Sequence, residues 1–169
     1  KSFKDYFNFK MILFQRLMKK NSTTIFSPEE NYGSKIQKII NKLNLKYISI
    51  GKKKSDITLI KENLIKDKQK ISFSYKGNIY SFETSLIGKI QIINLLMAIT
   101  AASKYIPIKR ILKLVPRIRP VSGRLEKIGQ LKNKSKVILD YAHTPDALKT
   151  CLKNIRYHYR FSKISIVFG

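Results

Sequence analysis

Apolar side chains at Phe3, Tyr6, Phe7, Met11, Leu13, Phe14 and Leu17, with the stem of Lys10, recur near helical spacing, so residues 3–18 read as an amphipathic helix. Residues 23–26 read as a short buried strand, residues 32–43 as a second helix and residues 47–50 as the next strand. This β-α-β rhythm predicts parallel pairing and an α/β organisation. From Asp56 to Glu83 the period changes to two, carried by Ile57, Leu59, Ile71, Phe73, Tyr75, Ile79, Tyr80 and Phe82, with Lys76-Gly77-Asn78 as a turn. An antiparallel meander or hairpin is therefore expected after the parallel part. Residues 88–105, rich in Leu, Ile and Ala, predict a long helix, and Pro107 and Pro116 bracket a shorter one over 108–114.

Pro116 and Pro120 enclose a stiff basic connector, after which the pattern starts again. Strands are expected near 124–128 and over 137–139, a helix over 145–159 and a further strand over 164–168. The restart sets a domain boundary near residue 119. No internal repeat is present.

The 169 residues, 43% of them hydrophobic, are enough for a sizeable core, which argues against disorder. A formal charge of +25 would ordinarily direct attention to nucleic acid or an anionic membrane. Twenty-eight of the 35 basic residues are lysine, spread along the chain beside abundant Ile and Asn, which reads as compositional drift. No aromatic-studded basic strand accompanies them, and the Lys52-Lys53-Lys54 run reads as a solvated loop between strands. The single cysteine, Cys151, excludes an internal disulfide and suits a reducing, cytoplasmic compartment; it is expected to be a small packing residue on a helix. No apolar run approaches the roughly 20 residues that span a bilayer. A first residue Lys1 in place of methionine, and an apolar run just before Gly169, give the expectation of a piece cut from a longer protein.

Chemistry is concentrated in Asp140-Tyr141-Ala142-His143-Thr144-Pro145-Asp146-Ala147-Leu148. These residues follow the apolar Val137-Ile138-Leu139 and precede a helix that Pro145 and Asp146 start. A strand-to-helix corner of this kind is where open α/β sheets place ligands. The residues alone leave two readings open: a ligand loop, or a well-capped turn with Thr144 as N-cap and no chemistry. His158, late on the same helix beside Tyr157 and Tyr159, carries no motif and is expected at the surface or as a C-terminal helix residue.

This corner, preceded by Pro120-Val121-Ser122-Gly123-Arg124-Leu125-Glu126, resembles the junction between the central and C-terminal domains of the Mur ligase family. The Thr-Pro-Asp-Ala-Leu continuation is similar to the branch that adds the third peptide residue. Tyr6-Phe7-Asn8-Phe9-Lys10-Met11-Ile12-Leu13-Phe14 resembles the family's Tyr-x-x-Ala-Lys-x-x-Leu-Phe helix, with Phe9 in place of alanine. Gly88 to Ala98 resembles the family's Gly-x-(His/Phe)-Asn-x-x-Asn-x-x-x-Ala segment, with Ile90 for the aromatic and Gln91 for the first asparagine. Glu29-Glu30 after Ser27-Pro28 is similar to the family's Asn-x-Asp-Asp turn and serves as a landmark only.

The resemblance implies the second half of a P-loop-type central ATPase domain carrying an antiparallel hairpin (1–119), then the start of a Rossmann-like C-terminal domain (120–169). It implies ATP and Mg²⁺ as cofactors, and a UDP-MurNAc-dipeptide and a diamino acid as substrates of a monomeric enzyme with no specific nucleic acid and no membrane partner. Site roles carry over residue by residue. Asn94 would meet adenine, since an amide both donates and accepts at a base edge. Arg124 would reach phosphate or ribose, and a permanently charged fork of donors suits phosphate oxygens. Asp140 would accept from ribose hydroxyls, and His143 would stand near the nucleotide as a catalytic candidate. Lys10, once carbamylated, would become an anionic oxygen ligand for Mg²⁺. The family's phosphate loop would lie before Lys1 and its acceptor-selecting residues after Gly169, so the piece alone is expected to be inactive. Two alternatives stay open: a folylpolyglutamate or cyanophycin synthetase with the same ATP residues, and a basic nucleic-acid-binding module.

Overall fold

A computed structural model describes residues 2–19, 21–30, 32–65 and 67–167. By its contacts the chain divides into two compact units, residues 1–60 with 72–80 and residues 61–71 with 81–169.

The first unit begins with α1 (Phe3–Ile12), whose N-cap Ser2 accepts from the Asp5 amide while the Asp5 carboxylate takes the Ser2 amide, a reciprocal capping box. The single helix expected over 3–18 changes geometry at Leu13: a π-helical turn runs from Leu13 to Leu17, closed by the Met18 amide on the Leu13 carbonyl at 2.9 Å. Its amphipathic reading holds only in part, because Met11 is buried whereas Tyr6, Leu13 and Leu17 are exposed. β1 (Thr23–Phe26) pairs in parallel with β2 (Lys46–Gly51) across α2 (Gly33–Lys42), in the register Thr23 to Lys46 through Phe26 to Ser49. β2 in turn pairs in parallel with the start of β3 (Ile57–Ile65), Ile50 facing Ile57. Phe26, Ile40, Ile50 and Ile57 form the buried side of this layer.

β3, β4 (Lys68–Tyr75) and β5 (Asn78–Thr84) realise the period-two stretch, and the sheet order is β1-β2-β3-β4-β5. The two-residue Lys76-Gly77 link between the neighbouring strands β4 and β5 permits only antiparallel pairing, and both of its residues have positive φ, the geometry a tight hairpin requires. Alternation along β4 buries Gln69, Ile71 and Phe73.

In the second unit α3 (Lys89–Ala102) buries Ile92, Ile93, Leu95, Leu96 and Ile99 and leaves Asn94 exposed. α4 (Ile108–Leu114) starts after Pro107 and passes into a single 3₁₀ turn at Val115–Arg117 that contains Pro116. β6 (Glu126–Gln130) and β7 (Lys136–Leu139) form an antiparallel pair with an irregularity between Lys127 and Gly129, and α5 (Pro145–His158) follows the corner. The strand expected over 164–168 is not formed within 164–167, since no neighbouring strand among the described residues offers it a ladder; Phe168 lies outside them.

Candidate functional site

β7 delivers Asp140 into the corner half-buried, and both of its carboxylate oxygens take backbone amides: Oδ2 accepts from Leu125 N and Oδ1 from Ala142 N, each at 2.9 Å. Leu125 is buried at 6% exposure with φ +47°, a left-handed conformation that costs an L-residue about 1 kcal/mol. A charge-assisted acceptor for its amide stabilises that conformation. The approach to β6 is laced to the same corner: Gly123, at φ +70°, accepts from Tyr141 N at 2.8 Å and donates its own amide to Glu126 Oε2 at 2.9 Å. Thr144 then caps α5, its hydroxyl accepting from Ala147 N at 3.3 Å with Pro145 in the first turn, as its sequence predicts.

Above this framework stand exposed polar groups. The Arg124 guanidinium lies 5.8 Å from the Tyr141 ring centroid, a cation-π contact that orients its donor fork. His143 Nδ1 is 3.0 Å from the Tyr141 carbonyl, and the imidazole meets the Tyr141 ring edge-on at 5.1 Å. A carbonyl only accepts, so this geometry assigns the proton to Nδ1 and leaves Nε2 as the outward acceptor. α3 enters through Gln91, whose Nε2 donates to the Arg124 carbonyl at 3.1 Å. Asn94, three residues on, shares that helix face. Asn94, Arg124, Asp140 and His143 are thus carried on elements in direct contact within one unit.

Beneath the corner, Ile87, Leu125 and Cys151 pack as a small core with Ile138, Ala142, Ile155 and Tyr159 around it. Burial first, then the charge of Asp140 and a hydrogen bond to it, push the Cys151 thiol up to about 11, so it remains protonated, a packing group beside the carboxylate.

Lys10 belongs to the other unit. It is exposed on α1, with Nζ 5.4 Å from the Tyr6 ring centroid. Glu29 Oε1 accepts from the amides of Lys52 and Lys53 at 2.6 and 3.1 Å, so the acidic landmark holds the loop after β2. Among the described residues no cluster of three His, Cys, Asp or Glu side chains could hold a metal. A carbamate on Lys10 would supply one anionic oxygen donor towards a Mg²⁺ ion.

His158 meets one arm of the expectation, the helix C-terminus, and not the other, the surface. It ends α5 but is 6% exposed, with neither ring nitrogen hydrogen-bonded, and burial lowers its pKa. Three contacts were not visible in the sequence: Gln91 on the Arg124 carbonyl, Tyr141 under the guanidinium, and Asn154 on the entry of α3. Of these only Gln91 had a signal, its place in the motif of the α3 segment.

A parallel β1-β2-β3 layer with α2 crossing from β1 to β2, an antiparallel appendage and a polar corner leading from a strand into a helix define an α/β protein. Residues 1–102 match the Mur ligase middle domain and residues 123–169 the Mur ligase glutamate ligase domain. The chain belongs to the Mur ligase family. It is 38% identical over 131 residues to a UDP-N-acetylmuramoyl-L-alanyl-D-glutamate--2,6-diaminopimelate ligase of Rickettsia felis, which covers 75% of this chain and 23% of that protein. A solved structure of a ligase of the same name superposes with a TM-score of 0.71 at 21% identity, over 94% of this chain and 33% of the other. The MurF ligase of Thermotoga maritima in complex with ADP gives 0.70 at 13% identity, over 89% and 34%. These two likenesses establish the fold. The chain spans about a quarter to a third of the length of the proteins it matches.

Proposed function

We propose that this chain is part of an ATP-dependent ligase that joins a diamino acid to the D-glutamate carboxylate of UDP-MurNAc-L-Ala-D-Glu, with residues 1–119 in its ATPase domain and 120–169 opening the next domain. The corner carries the reading: a carboxylate pinned by two amides, an oriented guanidinium and an outward imidazole nitrogen, joined through Gln91 to a helix that exposes an amide. The family membership and the name of the Rickettsia relative support the same assignment.

The residues suit a nucleotide. The Asp140 carboxylate keeps acceptor capacity beyond the two amides and the Cys151 thiol it already takes, so it can accept from a ribose hydroxyl without leaving its place. Arg124 offers a charged fork to phosphate oxygens, Asn94 reads the adenine edge and His143 Nε2 accepts a hydrogen bond or a proton beside them. Transfer of the γ-phosphoryl group to the glutamate oxygen converts a poor electrophile into an acyl phosphate and releases ADP. The amine of the diamino acid then attacks the carbonyl carbon, the C–N bond forms, phosphate departs with the former carboxylate oxygen and the amine proton passes to a base.

The test is ADP release by the complete enzyme that carries this chain, with UDP-MurNAc-dipeptide and either diaminopimelate or lysine as acceptor. Release that depends on both substrates, and a raised KM for ATP in Arg124→Ala and Asp140→Asn, are expected. Turnover indifferent to the UDP-linked dipeptide would reject the assignment, and an unchanged KM for ATP in both variants would reject the residue roles.

A further inference from the structure

Gly88 precedes α3 and has no side chain to cap it, yet the first amide of the helix is satisfied: Lys89 N donates to Oδ1 of Asn154 at 2.8 Å, across 65 residues of chain. Asn154 is 9% exposed, and its Nδ2 donates to the Thr150 carbonyl at 2.8 Å. That second bond fixes which way the amide points, because the nitrogen faces an acceptor on its own helix and the oxygen faces a donor on α3. The fit is close. A Cβ on Gly88 would lie 2.7 Å from Asn154 Oδ1, and Gly88 itself sits at φ +90°, so the bare backbone there makes room for the amide. Ile87, the residue before, packs with Leu125 and Cys151, and Cys151 lies one helical turn before Asn154 on α5. The cap therefore locks the entry of α3, which carries Gln91 and Asn94, to the helix whose first turn follows Asp140 and His143.

We propose that Asn154 is a positioning residue: by capping α3 from α5 it sets the placement of Asn94 relative to Arg124 and Asp140, so that one nucleotide meets all three. This rests on the nucleotide reading of the corner. Asn154 touches no substrate; it acts through Lys89 N and the helix behind it. Removing the oxygen frees the start of α3 to shift, and the loss falls on nucleotide binding while the reacting centre is left as it was.

The experiment measures KM for ATP and kcat in the complete enzyme for Asn94→Ala, Asn154→Ala, Asn154→Asp and the double variant Asn94→Ala/Asn154→Ala. Asn154→Ala is expected to raise KM for ATP about 5- to 30-fold, the range that the loss of a helix cap covers, with kcat within about twofold. Asn154→Asp retains an acceptor for Lys89 N but loses the donor to the Thr150 carbonyl, so it is expected to raise KM clearly less than Asn154→Ala does, a partial rescue that packing alone would not require. The double variant is expected to be little worse than Asn94→Ala, because a displaced α3 has already lost the Asn94 contact. Should Asn154→Ala fail to fold, Asn154→Ser, whose hydroxyl stops short of Lys89 N, takes its place with the same expected rise. If Asn94→Ala raises KM for ATP while Asn154→Ala and Asn154→Ser do not, or if the two losses multiply in full, the positioning role is overturned and the nucleotide site stands. If Asn94→Ala and Arg124→Ala both leave KM for ATP unchanged, the nucleotide reading fails and this inference falls with it.

Discussion

Replacing Asp140 by alanine removes the acceptor for two backbone amides at once, Leu125 N and Ala142 N, both at 2.9 Å. A hydrogen bond to a charged group is worth about 1.5–3 kcal/mol net, and the lower end applies because Asp140 is only half-buried. Leu125 adds to the loss: it is buried, so water cannot readily take over its amide, and its left-handed φ of +47° loses the contact that stabilised it. Two bonds at the lower end, partly offset by hydration of the more open Ala142 amide, give a destabilisation of about 2–4 kcal/mol. Asp140→Asn keeps one carbonyl oxygen and turns an NH₂ towards the other amide, so about half of that loss, roughly 1–2 kcal/mol, is expected. Urea denaturation of the 169-residue chain measures both. Alanine and asparagine variants that each lose less than about 0.5 kcal/mol would show that the carboxylate does not organise the corner.

The Cys151 thiol, held near 11 mainly by burial, should react with a thiol reagent at pH 8 at least tenfold more slowly in the folded chain than in urea, and equal rates would contradict its placement. His158 has a folded pKa below its usual value, chiefly through burial, with Asp67 opposing and Lys136 adding to the shift. The unfolded chain therefore binds the proton more readily, so the His158 contribution is complete above about pH 6.5 and is lost as pH falls below it. His158→Phe should flatten the stability profile as pH falls below about 6.5, and an unchanged slope there would refute the assignment. Asp67 bonds to Lys136 and Lys127, the first of these bonds being the larger cause of its lowered pKa. Its contribution is present above the usual carboxylate range and is lost as pH falls through it; since Asp67 is 44% exposed, Asp67→Asn should cost less than about 1 kcal/mol, and less still in 0.5 M salt.

The sequence was most legible where one local signal decided the outcome. Alternating Ile71, Phe73 and Tyr75 marked β4, and Thr144-Pro145-Asp146 marked the start of α5 to the residue. The corner's residue types were also legible, because a motif is a local string. What the string withheld was each group's partner. Asp140 was read as a ligand acceptor, and nothing in its spacing shows that it also grips Leu125, 15 residues back, in a left-handed conformation. The string puts His158 at the end of α5, but helix position alone does not say which elements pack over a face, so its burial depends on the fold around it. The π turn at 13–17 escaped for a related reason: it keeps the apolar residues near helical spacing while changing the carbonyl each amide reaches.

Acidic residues are scarce in this chain, ten against 35 basic ones, and where they sit is informative. Asp5, Glu29, Asp56, Glu126 and Asp140 each accept from at least one backbone amide, at a helix start, after a parallel strand or within the corner. A carboxylate used in this way is held where turns need an acceptor, whatever the surrounding lysines do. This explains how a chain of +25 keeps ordered corners: its negative charge is concentrated on the amides that loops leave unpaired. Two of these carboxylates divide their oxygens differently. Glu29 gives one oxygen to two amides and serves the loop after β2, whereas Asp140 gives one oxygen to each of two amides and so ties the Leu125 and Ala142 backbones together within the corner.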